Sequence, residues 1–292
     1  MRTTSLGRHH QDAPRKAAAM RVLAPAGGSN LSNALAHMQR IGNARTPEEL
    51  WGYLLAALAE YGFGLVNYGA TRSNRDGSIG DVQDAVFLSN HPRTVMTDYF
   101  DMGFFMRTPM FRWVMQNTGA CSWGWAEAER RAGRLSPEEL AAQDMARKSG
   151  MVAGYSISFA DPSPRSRAAM GLSATTGQTQ DQVDALWAQR GTEIMAICQM
   201  MHLRMQGMPF PVQRRPLSPR QREALEWVAE GKTTQDVATI MGISPAMVEK
   251  HLRLAREALD VETTAHAVAK AALFNHLFAG DHVPFARLAE NT

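Results

Sequence analysis

Cysteine is scarce: Cys121 and Cys198 are the only two, they lie far apart, and they form no Cys-x-x-Cys pair. That excludes a disulfide framework and a thiolate zinc site, and a reduced cytoplasm is the expected compartment. Long hydrophobic runs are missing too. The stretch around Ile194–Met201 falls well short of the roughly 20 residues that span a bilayer. There is no Gly-rich phosphate loop, no metal-ligand spacing and no nucleophile elbow, so no enzyme activity, cofactor or metal site is expected. Acid is almost absent from residues 1–45, where Asp12 faces seven Lys and Arg residues. What is present is ordinary globular composition, 45% hydrophobic and 20% charged over 292 residues, which suits two domains. The net charge of +3 hides a local pattern. Residues 210–292 carry ten basic and ten acidic side chains, but 214–256 carry eight against five. Such a segment is compatible with a nucleic-acid face without demanding one.

Residues 1–29 have no stable apolar period and read as a disordered extension; translation could start at Met1 or at Met20. Helix signals begin at Ser32. Thr46-Pro47-Glu48-Glu49 is a capping box, with Leu50, Leu54, Leu58 and Tyr61 along one face and Gly62 as the stop. Strand-like runs follow at Leu65–Ala70 and Ala85–Leu88. A helix is predicted from Pro92 to Phe100, a short one over Met110–Met115, and a strand over Cys121–Trp125. Ser136-Pro137-Glu138-Glu139 opens another capped helix ending near Gly150. Tyr155–Ala160 and Ala168–Ala174 read as strands. A long helix then carries Val183, Leu186, Trp187, Ile194, Ile197, Met201 and Met205 on one stripe. The interleaving predicts an α+β domain over residues 30–206, an α/β/α sandwich around a mainly antiparallel sheet. Three prolines within 207–216 mark a linker, because proline neither continues a helix nor enters a sheet centre.

Residues 217–280 are predicted to form an all-α, four-helix domain, with 281–292 as a tail. Ser218-Pro219-Arg220-Gln221 caps a helix running to Glu230, with Leu225 and Val228 inward, and Gly231 ends it. Thr233 caps a second helix, with Asp236 three residues on and Val237, Ala238 and Ile240 as its buried side. Gly242-Ile243-Ser244 makes a tight turn, and Ser244 caps a third helix with Val248, Leu252, Ala255 and Leu259 inward. A fourth is expected from about Thr264 to His276. Helix, tight glycine turn, helix is the helix-turn-helix pattern, whose second member fits a major groove. The outer face of the third helix holds Ala246, Glu249, Lys250 and Arg253. These could reach a thymine methyl, a cytosine amine, and guanine or phosphate oxygens. Lys232 and Thr233, ahead of the second helix, complete the candidate DNA-contacting set.

The run Leu217-Ser218-Pro219-Arg220, Ala229-Glu230-Gly231-Lys232-Thr233, Val237-Ala238, Ile243-Ser244-Pro245 and Val248-Glu249-Lys250-His251-Leu252 resembles the LuxR-type helix-turn-helix. Gln221 stands where that family usually has Glu, and Met247 where it usually has Thr. Upstream, Asn90-His91-Pro92, Tyr99, Pro109, Trp123, Gly150 and Gly154 are similar to the autoinducer-binding domain of the same family. The resemblance implies an α/β/α sensor ahead of a DNA-binding module. It places a ligand among His91, Val95, Tyr99, Thr108, Met110 and Trp123. It also implies that this site departs from the family's acyl-homoserine lactone pattern. Thr108 replaces the Asp that accepts the ligand amide, Val95 replaces the Trp that donates to the lactone carbonyl, and His91 replaces a Tyr. Met110 replaces a polar residue, and a late-strand Ser or Thr falls near Gly171.

The resulting expectation is a cytoplasmic transcription regulator of the quorum-sensing type. It would bind a roughly palindromic double-stranded operator as a homodimer and sense a small apolar or aromatic ligand, or none. The alternative is a heterodimerising antagonist that does not bind DNA, kept open by Glu249 on the groove face and by the neutral net charge of the C-terminal part. Operator, target genes, ligand identity and the choice between activation and repression are not written in the sequence.

Overall fold

A computed structural model describes residues 28–72, 82–161, 163, 166–209 and 215–278. The extension expected over 1–29 lies outside the described residues as far as 27. Gly28 and Ser29 already belong to the first helix. The centre of the linker, 210–214, and the tail 281–292 also lie outside.

The sensor half runs α1 (Gly28–Asn43), α2 (Pro47–Glu60), β1 (Phe63–Thr71), β2 (Val86–Ser89), a one-turn α3 (Arg93–Val95), α4 (Pro109–Gln116), β3 (Gly119–Ser122), α5 (Gly124–Arg131), α6 (Pro137–Lys148), β4 (Gly154–Ser158), β5 (Arg167–Ala174) and α7 (Gln180–Gln206). The strands form one antiparallel sheet in the order β2-β1-β5-β4-β3. Helices α1, α2 and α7 cover one face; α4, α5 and α6 lie with the other. The α+β sandwich expected from the order of elements is therefore the observed fold.

Local chemistry explains the ends. Ser136 and Glu139 close a complete capping box at α6. At α2, Thr46 Oγ1 accepts from the Glu49 amide at 3.2 Å, but the Glu49 carboxylate accepts from the Arg45 amide at 2.8 Å, one residue earlier than the box predicts. Two further expectations for the sensor half are corrected. The helix from Pro92 to Phe100 is only the α3 turn, which passes into a π-helical turn, Met96–Asp101, and a 3₁₀ turn, Phe104–Arg107. The strand over Cys121–Trp125 is shifted: β3 ends at Ser122, and Gly124 and Trp125 open α5. Period-two alternation settles which strand residues face the helical layer. Val66, Tyr68, Met170, Leu172 and Ile157 are fully buried against α1, α2 and α7. Trp187 of α7 stacks on Tyr155 with ring centroids 3.9 Å apart.

The C-terminal half is α8 (Pro219–Ala229), α9 (Thr234–Met241), α10 (Pro245–Leu259) and α11 (Thr264–Leu273). Capping boxes are complete at Ser218/Gln221 and Thr233/Asp236, and Ser244 caps α10. Gly242 takes the left-handed conformation (φ +65°) that sets the α9–α10 turn. Ile240, expected inward, is 45% exposed, and Met241 is buried in its place. The fourth helix stops at Leu273, short of His276.

The two halves are docked through α11. Phe274 is fully buried in the sensor core. Arg72 donates to the Leu273 carbonyl at 2.7 Å and to the Gln206 carbonyl at 2.6 Å. Lys270 Nζ meets Asp84 at 2.7 Å, with both side chains nearly buried.

Candidate ligand cavity and nucleic-acid interface

A cavity of about 470 Å³ opens between the outer face of the sheet and the segment running from Tyr99 through α4 to α6. Its size suits a small molecule. The floor follows from strand periodicity. Asn67 and Gly69 of β1, Ala169 and Gly171 of β5, and Ser156 of β4 share that face. Small side chains there leave room that larger ones would fill. The roof is aromatic and sulfur-rich, with Phe100, Phe105, Phe111, Met106 and Met151.

Of the six predicted ligand residues, the structure brings Tyr99, Thr108, Met110 and Trp123 to the cavity lining. His91 and Val95 do not line it. The His91 imidazole turns back along its own turn, with Nδ1 2.9 Å from Ser89 Oγ, and its ring sits edge-on to Phe100 at 5.5 Å. Val95 packs into the satellite cluster of Tyr99, Phe100 and Met151. Sequence reasoning missed Asn67 and Gly69, and reached Gly171 only as the place near which the family's late-strand Ser or Thr falls. The signal was Gly69 and Gly171 at period two inside strands, where glycine marks close approach of something else.

Thr108 and Trp123 are engaged within the protein. Thr108 Oγ1 donates to the Phe105 carbonyl at 2.8 Å and accepts from the Phe111 amide at 3.1 Å, so it is the N-cap of α4. Trp123 Nε1 donates to Ser156 Oγ at 3.0 Å. Burial drives the Tyr99 phenol well above its ordinary value, with the neighbouring Thr108 side chain offsetting part of the rise. Burial likewise pushes the Cys121 thiol up to about 11, so it stays protonated. Among the described residues no cluster of His, Cys, Asp and Glu could hold a metal, and no helix is long and apolar enough to cross a membrane.

His91 carries a pH consequence. Burial lowers its pKa from 6.5 to about 4, and its Nε2 has no hydrogen-bond partner. The folded value lies below the unfolded one, so the unfolded chain binds the proton more readily. Stability is full above about pH 6.5 and falls as pH drops towards 4, by up to about 3 kcal/mol from this group. Urea melts at pH 7 and pH 4.5 should show a smaller loss for His91→Leu than for the unaltered chain. Equal losses in the two proteins would contradict the assignment.

The second candidate surface lies on α9 and α10. Lys232, Thr233, Ala246, Glu249, Lys250 and Arg253 are all exposed. The last four share the outer face of α10, opposite Val248, Leu252, Ala255 and Leu259. Their environments differ. Glu249 accepts from Thr234 Oγ1 at 2.9 Å, tying α10 to the start of α9. Arg253 pairs with Glu257 one turn along the same helix. Thr233 is occupied as the α9 cap.

A family model described as Autoinducer binding domain matches residues 46–205, and one described as Sigma-70, region 4 matches residues 216–259. The first covers more than half of the chain. The chain belongs to the LuxR family of transcription regulators. The transcriptional activator LuxR of Aliivibrio fischeri is 24% identical over 193 residues, 65% of this chain and 74% of its own. AnoR of Acinetobacter nosocomialis, a transcriptional activator, is 23% identical over 237 residues, 80% of this chain and 94% of its own. The quorum sensing-dependent regulator RpaR of Rhodopseudomonas palustris is 38% identical, but over 85 residues, which span only 35% of RpaR. The crystal structure of Escherichia coli SdiA has the same fold at 17% identity, with a TM-score of 0.50, covering 84% of this chain and 98% of SdiA. In this LuxR-family chain the cavity lies in the autoinducer-binding domain and the exposed α10 face in the helix-turn-helix.

Proposed function

We propose that this LuxR-family regulator binds double-stranded DNA as a homodimer, with α10 in the major groove, and that a small neutral ligand in the sensor cavity controls it. The observation that carries the reading is the exposed α10 face on a complete helix-turn-helix, held to a domain with a ligand-sized cavity. Two copies would read half-sites about 10 bp apart, or a multiple of that, on a roughly palindromic operator. The antagonist reading is not favoured. It drew on Glu249 at the groove face and on the neutral net charge of residues 210–292; Glu249 is held by Thr234.

Arg253 is the sharper test. Its pair with Glu257 is exposed on both sides and so weak enough to exchange for a phosphate. Sedimentation of the full chain with fluorescent promoter duplexes should show two chains per duplex. Arg253→Ala should weaken binding to all sequences and lower the salt slope by about one if it touches phosphate. If it touches a base, specificity at one position should relax by about 1–3 kcal/mol. One chain per duplex, or an Arg253→Ala protein with unchanged affinity and specificity, would overturn the docking.

A further inference from the structure

The cavity is apolar over most of its lining, and the polar side chains named above are committed to the protein. Thr108 caps α4, and Trp123 bonds Ser156. Gln143 bonds Glu127 at 2.8 Å, and Arg147 pairs with the same carboxylate at 2.7 Å. Asn67 is different. Its side chain lines the cavity, and among the described residues it makes no hydrogen bond.

Its position is set by the sheet. Asn67 pairs with Ser89 on β2 and with Gly171 on β5. A Cβ placed on Gly171 would lie 2.4 Å from Asn67 Oδ1, 3.2 Å from its Cγ and 3.3 Å from its Nδ2. The carboxamide therefore lies over Gly171, in space that any other residue at 171 would contest. The β-strand pairing thus delivers a neutral carboxamide, with its N–H donors and its carbonyl acceptor, to the floor of a chamber whose lining is mostly apolar and whose other uncommitted polar side chains, Asp101 and Arg167, are charged. A ligand that fills the cavity covers this amide, and leaving a covered amide without partners is costly, so a ligand with a complementary group is favoured.

We infer that Asn67 is the specificity-determining residue of this cavity, and that the ligand is an apolar or aromatic molecule carrying a single neutral amide. A carboxamide presents N–H and C=O side by side, and a ligand amide answers both, whereas an ester answers only the donor. The inference rests on the reading of the cavity as a ligand site.

The test is displacement of the neutral fluorophore N-phenyl-1-naphthylamine from the full chain by a matched pair, N-hexylbenzamide and hexyl benzoate. The unaltered chain should prefer the amide about tenfold, the loss of one hydrogen bond with a partner left unpaired. Asn67→Ala should bring the ratio near one while the fluorophore still binds and the far-UV circular dichroism is unchanged, which reports that the domain is intact. Gly171→Ser alone should weaken the amide, because the new side chain collides with the carboxamide. Gly171→Ser in the Asn67→Ala background should recover part of the preference, since the hydroxyl then occupies the vacated space. An amide preference that survives Asn67→Ala, or no preference in the unaltered chain, overturns the role of Asn67 and leaves the cavity reading standing. Failure of the fluorophore to bind the unaltered chain overturns both.

Discussion

Calorimetric titration with N-acyl homoserine lactones of short, medium and long acyl chains should show no member binding at nanomolar concentration. The lactone class offers an amide and a ring carbonyl, and both must find partners when buried. The resemblance puts Thr108 where the family has its acceptor for the amide, and the Thr108 hydroxyl already serves the Phe105 carbonyl and the Phe111 amide. A charged acceptor is about twice as effective as a neutral one, and here even the neutral one is occupied. The resemblance puts Val95 where the family has its donor to the ring carbonyl, and Val95 does not line the cavity. His91, the other polar replacement, is hooked to Ser89 and faces Phe100. The unsatisfied ring carbonyl implies about 1–3 kcal/mol, roughly tenfold to a hundredfold in affinity, and a neutral partner for the amide in place of a charged one weakens binding further. Asn67 could still serve the amide but not the ring carbonyl. Nanomolar binding of any member would show that water or a side-chain rearrangement replaces the missing partners.

Gly154→Ala should destabilise the sensor domain by about 3 kcal/mol, at the upper end for inserting one methyl into a packed site. A Cβ at residue 154 would lie 2.1 Å from the Leu172 carbonyl oxygen and 3.0 Å from two ring carbons of Trp123. The carbonyl belongs to β5 and cannot rotate away without opening the β4–β5 pair. The Trp123 amide also donates to the Gly154 carbonyl at 3.0 Å, so the shift should reach the cavity wall. The contrast is Gly52→Ala in the middle of α2, where nothing lies within 4 Å of the new methyl. Alanine is the better helix former there, so up to about 1 kcal/mol of added stability is expected. Guanidinium melts followed by tryptophan fluorescence measure both changes. A Gly154→Ala protein as stable as the unaltered chain would mean that the strand pair yields without cost.

Much of this molecule is local in origin, and the sequence shows that part. The caps at Ser136, Ser218, Thr233 and Ser244, the positive-φ turns at Gly231 and Gly242, and the α10 stripe from Val248 to Leu259 depend on residues within a few positions of one another. Such interactions are written in spacing, so the four C-terminal helices and the exposed face of α10 are legible in the order of residues alone. The α+β order of the sensor is legible for the same reason, through its alternation of periods. What only the tertiary structure decided depends on residues distant in the chain. The π turn at Met96–Asp101 replaces a plain helix beneath the packed rings of Phe87, Phe100 and Phe105. Ile240 and Met241 exchange places because burial on an eight-residue helix is settled by its neighbours rather than by its own short period. The cavity is the strongest case. Asn67 and Gly171 are about a hundred residues apart, and only the antiparallel register of β1 with β5 lays one over the other. The docking of Lys270 on Asp84 and of Phe274 into the sensor core has the same character, because a charge and a ring find their partners across the whole chain. Backbone periodicity determines which face of an element is apolar, and strand register and domain packing determine which residues meet across it.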